Sequence, residues 1–281
     1  MNLTTEYDSL LLEYLFNNIK GKSKNNIKSL LKSSVFVNGV LTTKFDFKLK
    51  KGDKIFIVLK KIEDIDILYE DDDLIIVNKP YNLLTIATAK EKEKTLYHMV
   101  LEYLKKKKQK VFVIHRLDKD TSGAIMFAKN ERLKNLLQNN WDKYVLKREY
   151  IAILEGNIIP EKGTLKSYLA ENKNHKVYAV GPGKGKLAIT KYEKIYYNKK
   201  YSAAHIEIET GRKNQIRVQF ADFGFPIVGD TKYGNSHFDR MCLHASSLTF
   251  AHPVKNKVMS VSANKPDIFK KLVKEIDLWV M

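Results

Sequence analysis

The chain has 281 residues, 44% of them hydrophobic, which excludes a disordered chain and suits two domains with buried cores better than one. Fifty Lys and Arg against thirty-two Asp and Glu leave a formal charge of +18, the balance of a protein that binds a polyanion such as nucleic acid. A single cysteine, Cys242, excludes an internal disulfide framework and a cysteine-rich zinc site. No apolar run is long enough to span a bilayer, and "MNLTTEYDSLL" lacks the basic-then-apolar order of a signal peptide, so a cytoplasmic protein is expected. None of the seven histidines has zinc-site spacing, and no metal is expected.

Apolar spacing predicts a helix from Leu10 to Ile19 and a second from Lys24 to Lys32 with Ser23 as its cap. "VFVNGVLT" follows with the turn pair Asn38-Gly39, and a Lys-Gly-Asp turn then leads into "KIFIVL". "ILYEDDDLIIVNKP" reads as strand, turn, strand, and its acidic run Glu70 to Asp73 as a solvated hairpin turn. A helix from Thr95 carries Leu96, Met99, Val100, Tyr103 and Leu104 on one face. The strand VFVI delivers "HRLDKDTSG", after which "AIMFAK" reads as a strand, and Asn130 can cap a helix through Leu133, Leu136 and Leu137.

"REYIAILEG" is a strand, and two more flank Asn198 to Lys200. "GRKNQIRVQFADFG" turns into a helix closed by Gly224. "GPGKGK" at 181 to 186 lacks the spacing of a phosphate-binding loop and reads as a basic hairpin turn. Strands and helices mix without regular βαβ alternation, so the fold class is α+β.

Lysine supplies most of the charge, and there are six arginines: Arg116, Arg132, Arg148, Arg212, Arg217 and Arg240. Four of them fall in HRLDKDTSG, KREY and TGRKNQIRV, where a planar, bidentate guanidinium suits carboxylate or phosphate recognition. Within HRLDKDTSG, Asp118 and Asp120 lie among His115, Arg116 and Lys119. The residues alone leave open an acid and base pair, one reacting carboxylate, or a surface turn in which aspartates cap amides.

HRLDKDTSG followed by AIMFAK resembles the signature of the RluA-type pseudouridine synthases. "ILYEDDDLIIVNKP", "KREYIAILEG", "GKLAITKYEKI", "TGRKNQIRVQFADFGFPIVGDTKYG" and "LHASSLTFAHP" follow the family's order, over about residues 65 to 255. "SKNNIKSLLKSSVFVNGVLTTKFDFKLKKGDKI" resembles the small RNA-binding module of ribosomal protein S-four, departing from it at Lys24 and Ser34. The resemblance implies a small α/β RNA-binding domain over residues 1 to 60 and a catalytic domain, built on a mixed and mainly antiparallel sheet, over 65 to 281.

It also implies an enzyme that isomerises uridine in RNA to pseudouridine without cofactor or metal. Asp118 would act at C1′, where breaking a glycosidic bond calls for a carboxylate. Arg116 would manage the flipped nucleotide, and Tyr150 would lie against the uracil and help remove the C5 proton. Arg217 would pair with Asp118, lowering its pKa and orienting it. Lys24, Lys28, Asn38 and Arg212 are the expected RNA contacts.

Around Arg217 the family often reads TGRTHQIRVH, whereas this chain has Lys213, Asn214 and Gln219, so neutral amides replace both histidines. Large-subunit ribosomal RNA is the expected substrate and transfer RNA the alternative. A non-catalytic ribosome-assembly factor on the same fold is the competing class, and no obligate protein partner is implied.

Overall fold

The computed structural model describes residues 2–19, 24–31, 35–57, 65–89, 91 and 93–273. They fall into two compact units, Met1–Asp64 and Ile65–Met281. In the first, β1 (Asn2–Thr4) and β2 (Ser9–Leu10) precede α1 (Leu11–Asn18) and α2 (Lys24–Leu31). Strands β3 (Val35–Val37), β4 (Val40–Leu41), β5 (Lys48–Leu49) and β6 (Lys54–Ile57) follow. Leu11, Leu15 and Ile27 of the helices pack on Val35, Val37, Ile55 and Ile57, the inward residues of a sheet ordered β1-β6-β3-β4.

Asn38 and Gly39 take the positive φ angles, 49° and 84°, of a two-residue hairpin turn. The Asn38 side chain is already used inside the unit, donating to Asp53 and accepting from the Lys54 amide, both at 2.9 Å. Ser23 and the Lys24 side chain lie outside the described residues.

The second unit begins with β7 (Ile67–Glu70), β8 (Leu74–Lys79), α3 (Leu96–Lys106), β9 (Phe112–Val113) and β10 (Ser122–Ala128). Helices α4 (Glu131–Asn139) and α5 (Trp141–Tyr144) lead to β11 (Val145–Glu155), β12 (Lys162–Glu171), β13 (Val177–Val180), β14 (Lys186–Tyr197) and β15 (Tyr201–Ile208). Helix α6 (Gln215–Asp222), β16 (Leu243–His252), β17 (Lys257–Ser262) and α7 (Ile268–Leu272) complete it.

One sheet runs β13-β12-β14-β15-β11-β16-β10-β8-β7, with β17 paired to β16 and β9 to β10. Its named pairs are antiparallel except β10 with β16, so the expected α+β class with a mixed, mainly antiparallel sheet is what forms. Helices cover both faces. Ile75, Val77, Ile125 and Phe127 share a core with Leu96, Val100 and Phe220, while Leu74, Ile76, Ala124 and Met126 turn to Leu133 and Leu137. Burial on both faces is why LIIV and AIMFA are continuous apolar runs instead of alternating ones.

The parallel pair sets the end of the HRLDKDTSG segment. Ser122 and Gly123 lie opposite His244 and Ala245 as strand residues. Gly123 has φ 116°, and a Cβ there would stand 2.1 Å from the Ala245 carbonyl oxygen, so only glycine permits this approach. The GPGKGK segment is a turn, as expected, but the β13 and β14 that it joins lie on opposite sides of β12, so it crosses a strand end and makes no hairpin.

Apart from the exposed Asp72, the acidic run is not a solvated turn. Glu70 accepts from Tyr103 (2.7 Å), Lys107 and Lys129 (3.0 Å each), and Asp73 from Asn130 (2.8 Å). Asp71 accepts from Tyr69 (2.5 Å), His252 (2.9 Å), Lys255 (2.7 Å) and the amides of Asp73 and Leu74. Burial alone would raise the Asp71 pKa, but the hydrogen bonds from Lys255, Tyr69 and the two amides outweigh it and hold the carboxyl far below the usual range. A depressed folded pKa contributes stability that is present above the unfolded value and lost as pH falls through the folded one. Asp71→Asn is therefore expected to cost about 1–2 kcal/mol at pH 7 and progressively less below pH 4, measured by urea unfolding across pH.

Candidate active site

Between β9 and β10 the chain carries His115 to Thr121 across the sheet end, and the half-buried His115 and the buried Thr85 and Lys79 fix its path. His115 Nε2 accepts the Met126 amide at 3.0 Å, and its ring stands 4.9 Å from that of Trp141. Burial, with Arg148 adding to it, pulls the imidazole down to about 3, so it is neutral and structural. Thr85 Oγ1 donates to the Leu117 carbonyl (2.8 Å) and accepts the Leu117 amide (3.2 Å).

The fully buried Lys79 donates to the carbonyls of Pro80, Leu83 and Lys119 at 2.7–2.9 Å. Its burial lowers the ammonium to about 7 against the opposing charges of Asp120 and Asp118. The Thr121 amide closes the turn on the Asp118 carbonyl at 3.2 Å.

The Asp118 side chain, 21% exposed, lines a cleft of about 430 Å3 with Arg116, Arg148, Tyr150, Arg212, Asn214 and Arg217. Arg217 Nη1 is 3.6 Å from Asp118 Oδ2, so the expected pair forms, as a long contact. The tight partner is Asp230, which Arg217 holds bidentately through Nε and Nη2, both at 2.7 Å. Asp230 is 1% exposed and also accepts the amides of Lys232 (2.9 Å) and Tyr233 (3.1 Å).

Asn214 makes the shortest polar contact to Asp118. The Tyr233 hydroxyl accepts the Val177 amide at 3.1 Å, leaving its proton for the Asn214 amide oxygen at 3.0 Å. That orientation turns the Asn214 nitrogen to Asp118, donating at 2.8 Å to Oδ2 and 3.2 Å to Oδ1. An oxygen in its place would face a carboxylate with no proton between them. Asn214 adopts φ 53° and ψ 22°, the left-handed region that asparagine tolerates, at the start of α6.

The expected lowering of the Asp118 pKa is corrected by this environment. Burial pushes it up, and Arg217 and Arg116 only partly oppose that, so the carboxyl sits above its ordinary value. Tyr150, on β11, is buried as well. Burial raises its phenol to about 12, with Arg148 opposing and Asp118 adding to the shift.

Arg116 is exposed at the cleft edge. Arg212 is exposed too, its Nε donating to the Leu187 carbonyl at 3.0 Å. Arg148 donates to the Glu209 carbonyl at 2.7 Å, and a Cβ on Gly211 would stand 2.6 Å from its Nη1. Asp118, Arg116, Tyr150, Arg212 and Arg217 are thus brought together; Lys28 and Asn38 are exposed in the other unit. Sequence reasoning missed Asp230, Tyr233, Lys79 and Thr85, and noted Asn214 only as a departure from a family pattern. Among the described residues no group of three or more His, Cys, Asp or Glu side chains is arranged to hold a metal ion, and no helix is long and apolar enough to cross a membrane.

Residues 73–222, which contain Asp118 and Arg217, match the family described as RNA pseudouridylate synthase. The chain belongs to that family. It is an isomerase that acts on RNA, converting uridine to pseudouridine. The synthase is 35% identical over 240 residues to "Uncharacterized RNA pseudouridine synthase YhcT" of Bacillus subtilis, covering 80% of this chain and 79% of the other. It is 30% identical over 309 residues to "Ribosomal large subunit pseudouridine synthase D" of Haemophilus ducreyi, covering 98% and 95%. The fold is that of the solved "Human RNA Pseudouridylate Synthase Domain Containing 4", with TM-score 0.64 and 19% identity over 75% of this chain and 93% of the other.

Proposed function

We propose that this synthase isomerises a uridine of large-subunit ribosomal RNA in the cytoplasm, with Asp118 acting at C1′ of a nucleotide flipped into the cleft. The observation that carries this reading is the Asp118 carboxylate in a cleft of about 430 Å3, met by Arg217 at 3.6 Å and the Asn214 amide at 2.8 Å. That volume lies within the range of small-ligand sites, and the carboxylate is oriented before substrate arrives. Large-subunit RNA is favoured because the similarity to synthase D extends over 98% of this chain, the Met1–Asp64 unit included.

The reaction breaks N1–C1′ and forms C5–C1′; C5 loses a proton and N1 gains one. Asp118 serves either by attacking C1′ or by taking a sugar proton, and both need it ionised. Flipping costs a few kcal/mol of stacking, and the exposed Arg116 at the cleft edge is placed to fill the gap left in the RNA. Tyr150 supplies the ring against the uracil and, protonated at neutral pH, relays the C5 proton, its oxygen taking that proton as its own passes on toward N1. Lys24, Lys28 and Asn38 of the small unit, and Arg212 beside the cleft, contact RNA, the lysines and arginine through phosphates.

Tyr150→Phe is expected to leave RNA affinity unchanged while slowing release of tritium from C5-labelled uridine at least about a hundred-fold, the scale of a lost acid–base group. The overall reading is tested by mapping pseudouridines in RNA from cells with and without the gene. One large-subunit site should lose its modification. Loss confined to transfer RNA would reassign the substrate, and an unchanged map with no tritium release from any native RNA would leave a non-catalytic RNA-binding factor.

A further inference from the structure

Asp118 is faced by charged and titratable groups from several directions. Arg116 and Asp120 come from its own segment, Arg217 from α6, Tyr150 from β11 and Lys79 from the end of β8. The guanidinium with the clearest claim on it is committed elsewhere: two of the Arg217 nitrogens bind Asp230 at 2.7 Å, leaving Nη1 at 3.6 Å from Asp118. Hydrogen bonding to the carboxylate falls to a neutral side chain. The Asn214 nitrogen reaches both oxygens, at 2.8 and 3.2 Å, from a residue that is 7% exposed.

An amide is symmetric in shape, so something must decide which end faces the carboxylate. The Tyr233 hydroxyl does so, since it accepts the Val177 amide and has its proton left for the Asn214 oxygen. Tyr233 is itself held: its own amide donates to Asp230, and its ring lies 5.2 Å from the Arg217 guanidinium. Val177 is the first residue of β13, so a chain of hydrogen bonds runs from the sheet edge through a phenol and an amide to the reacting carboxylate.

We infer that Asn214 is a positioning residue for the isomerisation, its amide clamping both Asp118 oxygens in an orientation fixed by the Tyr233 hydroxyl. The inference rests on the reading of Asp118 as the reacting group. A donor without a titration of its own holds the carboxylate equally at every pH where the protein is folded. It favours the ionised form without the desolvation cost of a third buried cation.

The test uses a deletion that the backbone accepts. At φ 53° alanine would be strained, whereas glycine is at ease there, so Asn214→Gly removes the amide with little disturbance of α6. Loss of a hydrogen bond to a charged group is expected to move the acid limb of kcat up by about one pH unit, with the alkaline plateau lowered as well because Asp118 is less well oriented. RNA Kd should be unchanged. Tyr233→Phe, which frees the amide to rotate, should move the limb in the same direction by about half as much.

The Asp118 carboxyl can also be titrated directly by 13C NMR in aspartate-labelled protein, assigned by difference from Asp118→Asn, with no RNA present. An upward shift in the Asn214→Gly protein together with the displaced limb supports the clamp. An upward shift in a protein that never turns RNA over supports the clamp and overturns the catalytic reading of Asp118. An unshifted carboxyl, or a kcat profile whose acid limb does not move, overturns the clamp and leaves Asn214 a residue that shapes the start of α6.

Discussion

Replacing Asp118 by asparagine is expected to reduce turnover by more than about a thousand-fold and to make the fold more stable at neutral pH. The first effect follows from the chemistry proposed for the cleft: asparagine neither attacks C1′ nor takes a proton from the sugar, whereas the Arg217–Asp230 pair beside it is untouched. The second follows from the direction of the Asp118 pKa. Burial raises it above the unfolded value, so the stability it contributes is present below the unfolded pKa and lost as pH rises through the folded one.

Where Asp118 is ionised, the wild-type fold carries a largely buried charge that Arg217 and Arg116 only partly offset, and a neutral amide removes it. The asparagine oxygen still accepts from Asn214, as Oδ2 does at 2.8 Å. A gain of about 1 kcal/mol, or roughly 2–4 °C in Tm, is expected. Calorimetry of both proteins at pH 7, with RNA affinity measured alongside, is the check. An inactive variant that is also less stable would show that the carboxylate holds the loop together.

The HRLDKDTSG segment was legible because its chemistry is local: charge crowding, an arginine in a lysine-rich chain, a strand on either side. Its support was not. Lys79 is one lysine among many in a chain of net charge +18, and nothing in its neighbours shows that it is the one buried under three carbonyls. The acidic run read as a solvated turn because its partners, Tyr103, Lys107, Lys129, His252 and Lys255, lie 33 to 184 residues away in sequence. Sequence proximity carries no information about such pairs.

Apolar runs were read correctly as strands where a whole run pairs, as in AIMFA, and overextended where it does not. Of VFVI only Phe112 and Val113 enter the sheet, because Ile114 turns into the core around Leu133 and His115 takes the Met126 amide. Asn214 was visible as a departure from a family pattern, but an amide gives no sign in sequence of which way it faces. Asp230 lies in a stretch that follows the family's order, but no residue type or spacing there marks it as the partner of Arg217. It stands thirteen residues from Arg217, across the turn that follows α6, in the segment IVGDTKYG.

Arg217→Ala is expected to cost about 3–5 kcal/mol of unfolding free energy as well as turnover, because it strands two carboxylates at once. Asp230, 1% exposed, loses both of its guanidinium hydrogen bonds and keeps only the amides of Lys232 and Tyr233. Asp118 loses its nearest cation. Such a loss is a large share of the total for an ordinary fold, which lies at about 5–15 kcal/mol.

The cause can be separated from simple truncation by a second change. Asp230→Asn keeps an oxygen for the two amides but removes the charge, so the double variant Arg217→Ala with Asp230→Asn should recover roughly half of the loss. Urea unfolding of the wild type, both single variants and the double variant gives the coupling directly. If the double variant is as unstable as the sum of the singles, the two side chains act independently and the cost at Arg217 is one of lost packing, including its place over the Tyr233 ring.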